Sequence, residues 1–467
     1  MRKPSPSSLL AVAALSLAAC NDPPTPTTVR ARIASDLGYV LAQTNAASAG
    51  ATIPSTSALA MLANVVPSTG ASASRGGQVL TKLLTALAPR PVAKRARLAA
   101  GDRIDAQAAI DYLDNTIFTD ASSLGNGLYQ VPASVVCTTT TYDTNGTETT
   151  SLDADCAAKF AQADVRIRVE EDGDALRFAI QLDADHDEPV TVSLAHDALG
   201  LTVDLDSAGK AITALAMIYA EQPPNLRLAG QVTAELQILG TAHAKASLHI
   251  DRDLAIAVAD QGQALDGAQA FQLTSVRADV LAVELDGGAG TGALDLALGA
   301  TKVQAPTDTD PLVLDLPGAT ADAAFTTNGP VALTGIGLGD RALTVSRGGQ
   351  RGFALDLNPD NGRTLDATLA TDGTFTVTPK LDLHLAVDHA VLGDTAGPYD
   401  VMQVLLTGAV RPTPSGNLQV VSGTFAVVTN PAAYGIVASA GQCIADTEVS
   451  DTTSDTYYDQ WMTTTCD

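Results

Sequence analysis

The chain has 467 residues, 46% of them hydrophobic, and a formal net charge of −25. That much apolar material excludes disorder throughout, and so acidic a chain repels nucleic acid, which is excluded as a partner. Aromatic residues make up only 4%, too few for the aromatic girdles of a membrane barrel or for the stacking platforms of a glycan-acting enzyme.

Arg2 and Lys3 open the chain with positive charge, and Leu9 to Ala19 follows as eleven apolar or small residues. A bilayer-spanning helix needs about 20 apolar residues, so this stretch has the length of a signal-peptide core instead. It ends in Leu17-Ala18-Ala19-Cys20, which resembles the lipobox of bacterial lipoprotein precursors. The resemblance stops at Asn21 and says nothing of the rest. It implies a signal peptide at 1–19, cleavage before Cys20, and a diacylglycerol on the Cys20 thiol. Asn21, in place of Asp, further implies sorting to the outer membrane of the cell envelope. The mature chain then carries −27, because Arg2 and Lys3 leave with the signal peptide. No later stretch is apolar enough for a transmembrane helix, so the lipid is the expected membrane anchor.

Residues 20–28 combine the lipidated cysteine with a proline-rich tether, Asn21 to Thr28. Residues 29–120 carry helical periodicity in four stripes: Val29/Ile33/Leu37/Val40/Leu41, Leu59/Leu62/Val65/Val66, Val79/Leu80/Leu83/Leu84/Leu87, and Ala106/Ile110/Leu113/Ile117. Charge is divided along the chain. Cys20 to Arg103 sums to +6, concentrated in Arg90, Lys94, Arg95, Arg97 and Arg103, and the remainder sums to −33. The basic run fits contact with anionic lipid beside the anchor, at about 1 kcal/mol per basic residue close to the surface. A solvated helix end, or docking on the acidic remainder, explains it equally simply and is the favoured reading.

Residues 121–467 read as a large antiparallel β-body, giving a mainly β (α+β) chain with a helical N-terminal region. Val165/Ile167/Val169 alternates with charge, Asp172-Gly173 supplies a turn, and Leu176/Phe178/Ile180/Leu182 alternates back. The pattern recurs at Val190/Val192/Leu194, Leu201/Val203/Leu205, Val232/Ala234/Leu236/Ile238, Leu248/Ile250, Leu254/Ile256/Val258, Leu294/Leu296/Leu298, Phe353/Leu355/Leu357 and Leu381/Leu383/Leu385/Val387. Asp286-Gly287, Asn328-Gly329, Asn361-Gly362 and Asp372-Gly373 are turn signals between runs. Such alternation buries one face and wets the other. It predicts a meander of short strands packed as a sandwich or rolled sheet.

Besides Cys20 there are four cysteines, Cys137, Cys156, Cys443 and Cys466. An even number in an exported chain predicts disulfides. Three pairings are possible, and the local one is expected because each neighbouring pair brackets a Thr/Asp-rich, turn-prone stretch. Neither pair has the tight spacing of a zinc site.

Motifs for chemistry are sparse. The six histidines form no HExxH, there is no GxSxG, and surface or turn positions are expected for all six. Ser207-Ala208-Gly209-Lys210 formally matches the SxxK of penicillin-binding enzymes, but it sits at an expected glycine turn and no KTG follows. Gly287 to Gly292 is glycine-rich but leads into a strand pattern, which denies phosphate the amides of a helix N-terminus. Asp183, Asp185 and Asp187 are weak calcium candidates, alternating as carboxylate ligands do but lacking the glycine and terminal glutamate of an EF-hand loop; Thr307 to Asp310 is weaker still. No metal or other cofactor is expected. The sequence therefore points to a membrane-anchored envelope lipoprotein with a non-enzymatic structural or interaction role. The alternative is a lipid carrier whose bound lipid lies on the apolar face of a rolled sheet, and a hydrolase ranks below both.

Overall fold

The computed structural model describes residues 115–142, 148–182, 187–218, 225–260, 262–307, 309–392, 401–414, 417–430, 435–451 and 456–466. Cys20, the tether, the basic run from Arg90 to Arg103 and the predicted helices before Asn115 lie outside the described residues, as do Asp183 and Asp185. The chain is mainly antiparallel β, as predicted. Its β-body divides into two compact units. Unit 1 contains 115–203 and 210–218, and unit 2 contains 204–209 and the described residues from 225 onward. No helix among the described residues is long and apolar enough to cross a membrane.

Unit 1 is built on an antiparallel meander. Its strands are β1 (Ser123–Gly125), β2 (Leu128–Gln130), β5 (Val165–Asp172), β6 (Ala175–Leu182), β7 (Asp187–Leu194) and β8 (Ala198–Asp204), each paired with the next in that order. Between β2 and β5 lie α1 (Ala133–Val136), the hairpin of β3 (Thr138–Tyr142) and β4 (Glu148–Leu152), and α2 (Ala154–Ala163). Alternation along β5 buries Val165, Ile167 and Val169 and leaves Arg166 and Arg168 half-buried. Each fully buried apolar side chain of this size contributes about 1.5–3 kcal/mol. Phe160, Tyr129, Ile117 and Phe118 complete the core, with the Phe118 and Tyr129 rings edge-to-face at 5.2 Å. Thus Ile117 and Phe118, read from sequence as the end of the helical region, pack within the β-body. Asp153 caps α2, its carboxylate accepting from the N–H groups of Asp155 and Cys156 at 3.0 Å each. A Cys137–Cys156 disulfide ties the start of the hairpin to this helix.

After β8 the chain turns helical, a departure from the predicted strand through Leu205. Asp204 accepts from the Ser207 N–H at 2.9 Å and starts α3 (Leu205–Ile218). The SxxK match therefore lies on a helix and not at a glycine turn.

Unit 2 is a long meander in which the chain repeatedly crosses one bend line. β9 (Asn225–Gly240) and β10 (His243–Ala259) run across the line, and the following passes are each split into two collinear strands. These are β11 (Phe271–Ser275) with β12 (Ala278–Asp286), β13 (Thr291–Leu298) with β14 (Thr301–Ala305), and β15 (Leu312–Leu316) with β16 (Ala319–Thr326). Then come β17 (Val331–Leu338) with β18 (Leu343–Arg347), and β19 (Gln350–Leu357) with β20 (Thr364–Leu369). One half-sheet runs β9-β10-β12-β13-β16-β17-β20-β21, and the other runs β9-β10-β11-β14-β15-β18-β19-β21, rejoined by β21 (Phe375–Val387). The short helix α4 (His389–Leu392) follows, then β22 (Val401–Pro412) and β23 (Leu418–Asn430). The last strands are β24 (Gly435–Ser439), β25 (Gln442–Asp451) and β26 (Thr456–Thr465), with β26 held at its end by Cys443–Cys466.

Backbone at the bend line approaches backbone closely, and glycine makes that possible. A Cβ on Gly299 would stand 2.7 Å from the Val276 carbonyl oxygen, and one on Gly339 would stand 2.3 Å from that of Pro317. Pairing nonetheless carries on across the bend, with Val276 N–H donating to Ala300 O at 3.0 Å and Gly339 N–H to Gly318 O at 3.1 Å. Asn361-Gly362 lies in such a bend. Because β19 and β20 both pair antiparallel with β21, the chain keeps its direction there and makes no hairpin.

Around Asn358 the bend is locked by a buried polar network. Asn358 is fully buried, and its amide donates to Thr364 O and Lys380 O at 2.8 Å each, while its Oδ1 accepts from Asp382 N–H at 2.7 Å. The Asp382 carboxylate, also buried, meets Lys380 Nζ at 2.7 Å, His384 Nε2 at 2.9 Å and Gln403 Nε2 at 2.8 Å. Burial opposes its ionisation, yet hydrogen bonds from Lys380 and Gln403 and the charges of His384 and Lys380 hold it below the usual aspartate range. The apolar cluster beside it includes Leu365, Val377, Leu406, Val420 and Phe425.

Candidate functional site

The register of unit 2 assembles a groove that no local sequence pattern announces. On the polar face of the half-sheet, Glu235, Ser247, Ala282, Asp295, Asp322 and Thr334 stand opposite one another on β9, β10, β12, β13, β16 and β17. The adjacent row is Gln237, Lys245, Glu284, Ala293, Ala324 and Ala332. Four alanines on a face otherwise built of longer polar side chains leave a floor lower than its walls. The result is a groove of about 470 Å³.

Its walls are electrostatically distinct. On the β10 side, His243 Nε2 lies 2.7 Å and Lys245 Nζ 3.0 Å from the Glu284 carboxylate. The hydrogen bond from His243, then that from Lys245, holds Glu284 below the usual glutamate range. On the far side Asp295 and Asp322 are direct cross-strand neighbours. Desolvation, followed by the charge of Asp322 and a hydrogen bond with it, pushes the Asp295 carboxyl up. Two carboxyls so placed favour holding a proton between them.

A three-residue relay lies at the β10 wall. Ser247 Oγ is 2.8 Å from His249 Nε2, and His249 Nδ1 is 2.9 Å from Asp279 Oδ1. Ser247 and His249 are two residues apart on β10 and share its polar face. Asp279 reaches them through an irregularity in β12. Leu248 pairs with Leu281 but His249 pairs with Asp279, so Val280 is the extra residue of a bulge. Without it, alternation would set Asp279 on the opposite face.

The other sequence candidates fall elsewhere. Asp187 begins β7, paired with Leu182, while Asp183 and Asp185 lie outside the described residues. Among the described residues no group of three or more histidine, cysteine or acidic side chains is arranged to hold a metal ion. The glycine-rich stretch at Gly287 is the β12–β13 hairpin turn, as predicted. His196 is an exposed turn residue, as expected, and His243 and His249 are strand residues 27% and 29% exposed beside acidic partners; His186 lies outside the described residues. His384 lies on β21 with 38% of its side chain exposed, in keeping with its outward parity against Leu383 and Leu385, and it meets Asp382. Both disulfides have the local pairing predicted from the spacing of the cysteines.

In unit 1, Arg177 sits between Glu188 and Glu170, and Gln181 Nε2 donates to Glu188 at 3.1 Å. Burial opposes the charge on Glu188, but hydrogen bonds from Arg177 and Gln181 and the Arg177 charge hold it below the usual range. This closed network satisfies its own charges and serves the β6–β7 pairing.

No protein-family model matches the chain, and no curated protein matches it.

Proposed function

We propose that the chain is a bacterial envelope lipoprotein, held to the outer membrane by lipid on Cys20, whose β-body acts by interaction through its broad two-faced sheet. The observation that carries this reading is Leu17-Ala18-Ala19-Cys20 directly after a charged, eleven-residue apolar leader. Two disulfides support export to an oxidising compartment. The polar groove supports a role in binding. A lipid ligand draws support from one observation, that Leu294 and Leu296 on the apolar face of β13 remain 36% and 37% exposed.

The test is metabolic labelling of the full chain with tagged palmitate in a Gram-negative host, followed by membrane fractionation. The expected result is a labelled, membrane-bound protein, with Cys20→Ser unlabelled and uncleaved. An unlabelled wild-type chain, or a Cys20→Ser chain that still takes up label, overturns the anchor. Native mass spectrometry of the same preparation then reads any co-purified lipid.

A further inference from the structure

We infer that Ser247, His249 and Asp279 form a nucleophilic site that opens short, neutral or cationic carboxylic esters. The inference goes beyond the lipoprotein reading and does not rest on it. The order of atoms sets the chemistry. An ionised carboxylate has no proton to donate, so in the neutral form of His249 the contact with Asp279 places the proton on Nδ1. Nε2 is then the lone-pair nitrogen, 2.8 Å from Ser247 Oγ, placed to accept the hydroxyl proton. The same order of contacts activates serine on unrelated folds.

Asp279 is 87% exposed and His249 29%, and two further observations point to chemistry at this surface position. The Val280 bulge turns Asp279 onto the face that His249 occupies, and bulges re-aim side chains in this way beside active sites. Ser247 is also one of the residues that line the groove of about 470 Å³. Ladder pairing on both sides of β10 occupies that strand with β9 and β12. Among side-chain donors of the same wall, Lys245, which pairs with Glu284, and Gln237 stand in the adjacent row. Substrate charge follows from the walls. Glu235 stands opposite Ser247, and Asp295 and Asp322 stand across the floor, so an anionic ester is repelled.

The step balances without a further reagent. Ser247 Oγ bonds to the ester carbonyl carbon as its proton passes to His249 Nε2. The C–O bond to the alcohol breaks, and His249 returns that proton to the departing oxygen. Water then enters by the same route in reverse, releasing the acid and restoring the serine. Ser247 and His249 are the catalytic residues, and Asp279 is a positioning residue.

The experiment uses the full chain in detergent, a fluorophosphonate probe with peptide mapping, and p-nitrophenyl acetate hydrolysis. Circular dichroism of each variant confirms the fold. Expected is phosphonylation at Ser247, with fluoride displaced, and a labelling rate lowered roughly 100-fold or more in His249→Ala. Ser247→Ala should lose both label and esterase activity. Asp279→Asn should lose most of the labelling rate, while Asp279→Glu keeps a measurable part of it. Cys20→Ser should label like the wild type, which separates this result from the anchor. Labelling confined to other residues, no labelling, or an unchanged rate in a folded His249→Ala overturns the inference.

Discussion

Replacing Asn358 tests whether the bend line is held by the hydrogen bonds described. Asn358→Ala strands three backbone groups at once: Thr364 O, Lys380 O and Asp382 N–H. Asn358 itself is 0% exposed, so water reaches these groups poorly. Each buried polar group left unpaired costs about 1–3 kcal/mol, giving a loss on the order of 3–9 kcal/mol for the three together. Asn358 also has φ +43°, where alanine pays a further ~1 kcal/mol. Asn358→Gly avoids that strain but loosens the unfolded chain by a similar ~1 kcal/mol. The two variants should therefore agree within about 1 kcal/mol. The assay is urea unfolding of the lipid-free chain from Asn21 onward, followed by the fluorescence of Trp461. That residue is the single tryptophan and lies on β26 of unit 2. A loss below about 1 kcal/mol in both variants, at unchanged m-value, would refute the reasoning. A loss of the expected size in Asn358→Ala but a much smaller one in Asn358→Gly would place the effect in backbone strain instead.

Two further outcomes follow from the same structure. A Cβ on Gly423, at φ +75°, would lie 1.7 Å from the Thr407 carbonyl oxygen, whereas one on Gly441, at φ +89°, meets nothing within 4 Å. In urea unfolding, Gly423→Ala should cost at least about 3 kcal/mol and Gly441→Ala only the ~1 kcal/mol of its conformation; equal losses would show that close approach is not what selects glycine at Gly423. Asp382→Asn and Asp295→Asn should have opposite signs. Asp382 is depressed below the ordinary 3.8, so the stability it adds is present above that pH and is lost as pH falls through its folded value. Asp295 is raised above 3.8, so its cost is absent below that pH, grows as pH rises from there, and is complete above its folded value. Stability curves against pH should show Asp382→Asn weaker and Asp295→Asn stronger than wild type at neutral pH, both converging on wild type in acid. Matching signs at pH 7 would contradict the assigned surroundings.

What was readable in the sequence was local. Alternating Val165/Ile167/Val169 and Leu176/Phe178/Ile180 gave the strand faces because a half-buried sheet repeats every two residues. Asp286-Gly287, Asn328-Gly329 and Asp372-Gly373 marked true reversals, with left-handed backbone at Gly290, Asn328 and Gly373 respectively. Asn361-Gly362 carried the same signal but serves a bend, since a turn dipeptide reports backbone shape and not chain direction. Leu205 fell in step with Leu201 and Val203, and only the Asp204 cap reveals that a helix has begun. The groove was out of reach for a different reason. Lys245, Ser247 and His249 visibly share one strand face, but Glu235, Asp295 and Asp322 join them only through four strand registers. Asp279 needed more, because a single bulged residue reversed the face that its sequence parity indicates.

The bend line also bears on how such a molecule changes its size. Between β10 and β21 every pass contributes one strand to each half-sheet, and its connections return at alternating ends. Inserting or deleting two consecutive passes would lengthen or shorten both halves together, leaving the flanking strands in their original direction and with their original faces. A single pass could not be gained this way, because every strand beyond it would run backwards. Length variation in this architecture should therefore come in even steps, with the bend glycines inherited as part of each pair.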